Sequence, residues 1–221
     1  RGLGIVHAVP HILARYRPTK RVRTLSAAQP DLFDAPRLAG LSQADTIITP
    51  VEEQALIAGI DAVELSPFRF HGWVGKRLTA SYGWRYDFDK ANLARAEPIP
   101  DWLLPVRERA AQFAGLGPDE LVQALLIRYD PGAGLGWHRD RSVFEHVLGI
   151  SLGTSTELRF RRRRPGGFDR ASALLVPRSI YHLTGEARHE WEHSIAGMDE
   201  TRWSITFRSL SEKARRVEER I

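Results

Sequence analysis

A chain of 221 residues is long enough to bury one sizeable core. It contains no cysteine, which excludes disulfides, thiolate metal sites and cysteine nucleophiles. The formal net charge of +5 comes from one end. Residues 1–23 hold six basic residues and no acid, and without them 26 basic residues face 27 acidic ones, so overall basicity does not argue for nucleic acid. No apolar run approaches the ~18 residues needed to span a bilayer. A soluble, cytoplasmic monomer with no membrane partner is the expectation.

The basic start fits a fragment, a processed end or an Arg-rich organelle transit peptide, and residues 1–48 are expected as a partly flexible N-terminal extension. Thr49-Pro50-Val51-Glu52 has the pattern of a helix start: a capping hydroxyl, a proline in the first turn and a glutamate three residues on. Leu56, Ile57, Ile60 and Val63 continue at helical spacing. Residues 68–88 mix aromatics, glycines and cations. They read either as β-ribbons with ordinary cross-strand aromatic pairs or as a cover that stacks bases and touches phosphates. A second helix is expected over about 102–114, ending near Gly115. From about 121, short apolar runs alternate with Gly, Pro and charged turns, near 124–129, 147–152, 156–160, 172–176, 179–184 and 203–210. This texture predicts a mostly β domain with flanking helices, as a sandwich or barrel.

His138 and Asp140 lie two apart and so face the same way on an extended segment. Two histidines and one carboxylate on one face of an ion form the facial set of non-haem iron oxygenases. Spacing alone leaves the second histidine open among His146, His182, His189 and His193. Near the C-terminus, Arg202, Ser204, Thr206 and Arg208 alternate with Trp203, Ile205 and Phe207. On a strand, one face would carry the polar set and the other the apolar set. Either the polar face meets solvent, or it lines a barrel interior. In the second case two buried arginines, with no acid on their own face, require an anion. A further cluster, Arg159 and Arg161 to Arg164, reads as a solvated hairpin tip or as a phosphate-contacting loop.

These segments resemble the AlkB family of 2-oxoglutarate- and Fe(II)-dependent dioxygenases. The likeness is carried by Leu126-Ile127-Arg128-Tyr129-Asp130-Pro131-Gly132, by Trp137-His138-Arg139-Asp140, by Val147 to Gly153, by Trp191 to Ile195, and by Arg202 to Arg208. It spans roughly 49–210 and is strongest from 124. It implies a double-stranded β-helix (jelly-roll) core over about 121–210, a lid over about 66–100, and a charged tail at 211–221. It also implies Fe(II), 2-oxoglutarate and O2 as cofactors, with His138, Asp140 and His193 as both catalytic residues and iron ligands. Arg202 falls where an arginine pairs with the distal carboxylate of 2-oxoglutarate, and Arg208 where a second arginine sits near the iron. Tyr129 matches a tyrosine that bonds the cosubstrate, and Thr206 shares that strand face.

Three departures stand out. Ile127 and Ser204 occupy cosubstrate positions that often carry Asn. Ser142 stands where the founding repair enzymes carry an acid against the flipped base, and Glu145 is a possible substitute. The lid residues Lys76, Arg77, Tyr82, Trp84 and Tyr86 are expected to touch substrate, with Trp84 or Tyr82 stacking on the base, and Arg161 to lie near it. The activity so implied is oxidative demethylation of alkylated bases, such as 1-methyladenine or 3-methylcytosine, in DNA or RNA. Formaldehyde, succinate and CO2 would be released. The alternatives are a related oxygenase acting on a protein or small molecule, and a non-catalytic nucleic-acid-binding barrel.

Overall fold

A computed structural model of the chain describes residues 38–70, 73–87 and 92–218. The basic segment 1–23 lies outside the described residues, as does most of the expected extension. The first helix, α1 (Pro50–Ala62), starts where the capping pattern placed it. The Thr49 Oγ1 accepts from the Glu52 N–H at 3.2 Å, and the Thr49 N–H donates to Glu52 Oε2 at 2.8 Å. Glu52 also pairs with Arg109 of α2 (Leu104–Ala114) and so ties the two helices together. That second helix ends at Gly115, whose φ of 70° is left-handed and suits a residue without Cβ.

Most of the remaining chain forms two sheets. The larger has seven strands. It includes β1 (Leu41–Ala44), β2 (Ser66–Phe70), β3 (Trp73–Tyr82) and β6 (Leu121–Tyr129). It continues with β8 (Phe144–Gly153), β11 (Ile180–Leu183) and β13 (Arg202–Leu210), in the order β1-β11-β8-β13-β6-β3-β2. The smaller has four strands in the order β10-β9-β12-β7. These are β7 (Leu135–His138), β9 (Thr156–Arg164), β10 (Gly167–Leu175) and β12 (Glu192–Ile195). A separate ribbon pairs β4 (Trp84–Asp87) with β5 (Asn92–Arg95). The run of short strands predicted a sandwich or barrel, and the two facing sheets are the jelly-roll plan that the resemblance implied.

Strand alternation divides the interior in two. On the outer face of the large sheet, Leu126, Leu148, Ile150, Ile205 and Phe207 pack with Leu56, Ile60, Val106 and Ala110 of the two helices. Between the sheets, Ile127, Tyr129 and Val147 meet Leu158, Phe160, Leu175 and Ile195. At roughly 25 cal/mol per Å2 of apolar surface removed from water, these two layers are the main source of stability.

Strand pairing extends the domain beyond the expected N-terminal boundary. It begins before residue 49, because β1 pairs antiparallel with β11 from Leu41↔Leu183 to Ala44↔Ile180. The expected lid is partly sheet, because β3 pairs with β6 from Leu78↔Arg128 to Tyr82↔Ala124. The charged tail opens as a helix, α4 (Glu212–Glu218). A short helix not foreseen, α3 (Gly185–His189), precedes β12. Among the described residues, no helix is long and apolar enough to cross a membrane.

The α1 cap generates two expectations. Thr49→Ala lowers the unfolding free energy by about 1 kcal/mol in urea titration, through loss of the cap; an unchanged midpoint would refute that role. The Glu52 carboxyl is held down from 4.5 to about 2, chiefly by its hydrogen bond from Arg109. Its contribution is therefore complete above pH 4.5 and is lost as pH falls toward 2. The stability gap between wild type and Glu52→Gln should close over that interval, and a constant gap would contradict the linkage.

Candidate metal and cosubstrate site

The small sheet brings the histidines together. His138 ends β7 and His193 lies directly opposite on β12, with ring centroids 4.3 Å apart. Asp140 follows two residues after His138, and its Oδ2 lies 3.6 Å from His193 Nε2. Donor atoms of the three residues all lie within 4.8 Å of one another, close enough to share one ion. The His138 Nδ1–H donates to the Gly136 carbonyl at 2.9 Å, which leaves Nε2 as the free ligand atom. Burial pushes both imidazoles down, and the neighbouring His138 adds to the effect on His193, which falls to about 3. Both rings are thus neutral near pH 7, as metal ligation requires. Burial would raise the Asp140 carboxyl, but Arg208 and then the two histidines outweigh it and hold it well below the usual range.

The rival histidines lie elsewhere. His146 Nδ1 and His182 Nε2 pair with each other at 2.9 Å, and burial, then His146, pushes His182 down to about 4. His189 is exposed and bonds Glu145 Oε1 at 2.9 Å.

The β13 stripe faces the inside. Arg202, Ser204, Thr206 and Arg208 line the same cleft as His138, Asp140 and His193, together with Ile127 and Tyr129. The two arginines then differ sharply. Arg208 donates from Nε and Nη2 to Asp140 Oδ1 at 2.9 and 2.8 Å, and from Nη1 to Gln123 at 2.9 Å. The counter-charge missing from its own strand face comes from another strand's end. Arg202 has none. It is 1% exposed, donates from Nε and Nη2 to Ser151 Oγ at 3.3 and 3.0 Å, and lies 5.3 Å from the Tyr129 ring centroid. Its Nη1 is buried without a hydrogen-bond partner, and the side chain without a carboxylate, among the described residues. A buried, unpaired guanidinium costs several kcal/mol unless an anion meets it. A carboxylate fits the open edge. The donor set fits Fe(II), and the orphaned Nη1 fits an acid such as 2-oxoglutarate.

Two contributors escaped the sequence. Tyr181 of β11 lines the cleft, its hydroxyl pKa raised by burial. It fits because residue 149 is glycine: a Cβ there would stand 2.2 Å from the Tyr181 ring. Arg188 of α3 is buried and donates to the carbonyls of Arg141 and Phe144, each at 2.6 Å. It thereby pins the turn that follows Asp140. Only contact in three dimensions exposes either role.

The expected substrate residues separate by strand parity. Arg77 of β3 lines the cleft and stacks 4.0 Å from the Phe68 ring centroid. Lys76 and Tyr82 are an odd number of residues away and take the other face; Lys76 is exposed and Tyr82 packs on the helical core. Trp84 is buried with Arg95 over its ring at 5.0 Å. Neither Tyr82 nor Trp84 lines the cleft. Tyr86 is half-buried, with the Arg141 guanidinium 5.0 Å from its ring centroid. Ser142 is exposed in the turn after Asp140. Arg161 lies outside the cleft and pairs with Glu192 at 2.6 Å.

A jelly roll holding two histidines, one carboxylate and an arginine-lined inner strand is the plan of the Fe(II)- and 2-oxoglutarate-dependent dioxygenases. A sequence profile of the 2OG-Fe(II) oxygenase superfamily matches residues 61–218. The chain belongs to that superfamily as an AlkB-like member, and its cofactors are Fe(II), 2-oxoglutarate and O2.

The chain is 28% identical over 184 residues to an "Alkylated DNA repair protein ALKBH8 homolog" of Arabidopsis thaliana, covering 72% of this chain and 51% of the relative. It is also 28% identical over 163 residues to a "tRNA (carboxymethyluridine(34)-5-O)-methyltransferase alkbh8" of Xenopus tropicalis, covering 71% and 25%. The chain thus spans about half and a quarter of these relatives. Among solved structures, that of OsALKBH1 superposes with a TM-score of 0.59 at 14% identity, covering 77% of this chain and 96% of that one. A Pseudomonas putida prolyl-4-hydroxylase gives 0.53 at 18%, covering 78% and 93%. Both likenesses concern the fold alone.

The unpaired state of Arg202 makes a two-sided prediction. Arg202→Met should stabilise the ligand-free protein by about 1–3 kcal/mol in urea titration. It should also raise the KM for 2-oxoglutarate roughly 30-fold or more. A variant that is less stable, or that keeps wild-type KM, would show that the guanidinium is not an anion site.

Proposed function

We propose that this chain oxidatively demethylates alkylated nucleobases in DNA or RNA. The observation that carries the oxygenase chemistry is the three-ligand cluster sharing one cleft with a buried arginine that lacks a counter-charge. In this reading His138, Asp140 and His193 hold the metal. Arg202 takes the distal carboxylate of 2-oxoglutarate, with Tyr129, Ser204 and Thr206 beside it. Arg208 acts one step back, as a positioning residue that fixes the Asp140 carboxylate. Bound Fe(II), with 2-oxoglutarate and O2, supplies the oxidation of an N-methyl carbon, after which formaldehyde leaves the base. The protein's share is to bind, orient and exclude water.

A nucleic-acid substrate is supported by the cations and aromatics around the opening. Arg77 lies inside the cleft, and Arg141 with Tyr86 stands beside the turn that carries Asp140. A base must leave its stack to reach the iron, and Tyr86 is the aromatic surface best placed to receive it. The names of the relatives support the same substrate class. Ser142 favours a second reading. With no acid at that position, a related oxygenase could act on a protein or small molecule.

With Fe(II), 2-oxoglutarate and an oligonucleotide carrying 1-methyladenine or 3-methylcytosine, the wild type should release formaldehyde and succinate together. Asp140→Ala should lower both at least ~100-fold, the scale on which metal-site partners act. Succinate without formaldehyde would sink the nucleobase substrate and leave the second reading. Succinate formation intact in Asp140→Ala would sink the metal assignment.

A further inference from the structure

The outer face of the small sheet carries a group of arginines that the cleft does not use. His193 and Phe160 point inward, so their neighbours on β12 and β9 point outward. Register places Arg163 opposite Phe168, Arg161 opposite Arg170, and Arg159 opposite Ser172 and Ser194. The guanidinium groups stand over two aromatic rings. Arg161, Arg163 and Arg170 stand 4.8, 5.2 and 5.8 Å from the Phe168 centroid. Arg159 and Arg161 stand 5.3 and 4.5 Å from that of Trp137.

Charge compensation on β9 follows the same alternation. Arg162, on the other face, has Glu186, Glu190 and Asp169 for partners, and Arg164 has Asp169. On the outer face only Arg161 has an acid, Glu192. Arg159, Arg163 and Arg170 have no carboxylate partner among the described residues, and Arg159 Nε is buried without any hydrogen-bond partner. A cleft of about 430 Å3 opens beside Arg161, Arg163 and Phe168; Arg139, Arg162 and His189 also line it, with two acids, Glu190 and Glu192, so its cations outnumber its carboxylates by four to two.

We infer that this outer arginine–aromatic ladder is a binding surface for the phosphate backbone of a single-stranded nucleic acid. The ligand class rests on the substrate reading above; the location is independent of it. Uncompensated guanidiniums braced on rings lose little freedom on binding and present paired N–H donors suited to phosphate oxygens. Arginines two apart on a strand repeat every ~6.6 Å, the scale of one nucleotide step. The ladder lies on β9 and β10 and the two histidines on β7 and β12 of the same sheet, on its opposite face, so a backbone held outside lies one sheet thickness from the chemistry.

The test is fluorescence anisotropy with a labelled, unmethylated single-stranded oligonucleotide, using the full chain over a series of salt concentrations. Wild type should bind, with affinity falling steeply as salt rises. Arg163→Ala/Arg170→Ala should bind at least tenfold more weakly. Its log–log salt slope should be shallower by about 1.4, at ~0.7 per lost single-strand phosphate contact. Arg164→Ala, which removes a compensated arginine, should bind as wild type. Matched circular dichroism and melting would show that the variants fold. The ladder is overturned if wild type does not bind, if the double variant binds normally, or if polyglutamate binds as tightly with the same salt slope. Formaldehyde release from the methylated oligonucleotide is scored separately. Ladder-dependent binding without release would refute the demethylase and keep the surface; release with binding indifferent to the ladder would do the reverse.

Discussion

The burial of Arg202 constrains this structure more than any other single feature. A guanidinium that is 1% exposed and meets the Ser151 hydroxyl and Tyr129, but no carboxylate among the described residues, is an unstable element within a folded protein. The fold tolerates it because β13 is the central strand of the large sheet, paired along its length with β6 and β8. Those two ladders hold the strand, and the apolar residues behind it anchor it to the helices. The energetic deficit in the cleft is thereby converted into affinity for an anion, since a ligand that supplies the missing charge relieves a cost already incurred in folding.

The same alternation explains why core and site can sit back to back on one strand. Trp203, Ile205 and Phe207 face the helical layer, and their neighbours face the cleft. A one-residue slip of β13 would exchange the two sets, putting arginines among leucines. Pairing on both sides makes such a slip costly. Arg208 adds a second lock, because the two N–H groups it donates to Asp140 Oδ1 tie β13 to the turn after β7. The metal-ligand geometry therefore depends on the register of a strand that supplies no ligand.

Period-two reasoning made the inner face of β13 legible from sequence, and capping chemistry located both ends of the helical layer at Thr49 and Gly115. The His138, Asp140 and His193 set needed the family resemblance, since spacing left His146, His182 and His189 open. The substrate residues were less legible. Lys76, Arg77, Tyr82 and Trp84 all suited a nucleotide cover by type, yet pairing of β3 with β6 sends Arg77 inward and Tyr82 into the core. Residue type gives the chemistry, and only strand partnership gives the direction. Tyr181 and Arg188 were invisible for a related reason: their roles arise from contacts with Gly149 and with the carbonyls of a distant turn.

Charge balance in the cleft links the site to its substrate. Arg77, Arg202 and Arg208 face a single carboxylate, Asp140, and Arg188 lies close behind. With Arg208 paired to Asp140, a dianionic 2-oxoglutarate would bring two charges against the four carried by Fe(II), Arg77 and Arg202, so loading the site would not remove the cationic surplus. Arg208 is matched by Asp140, and Arg202 would be matched by the distal carboxylate. Arg77 then remains, stacked on Phe68, with burial already lowering its affinity for a proton. A cation held in that state favours a substrate that brings negative charge with it. On the function proposed above, a phosphodiester backbone would do so at every step, whereas a neutral small molecule would leave the guanidinium unanswered.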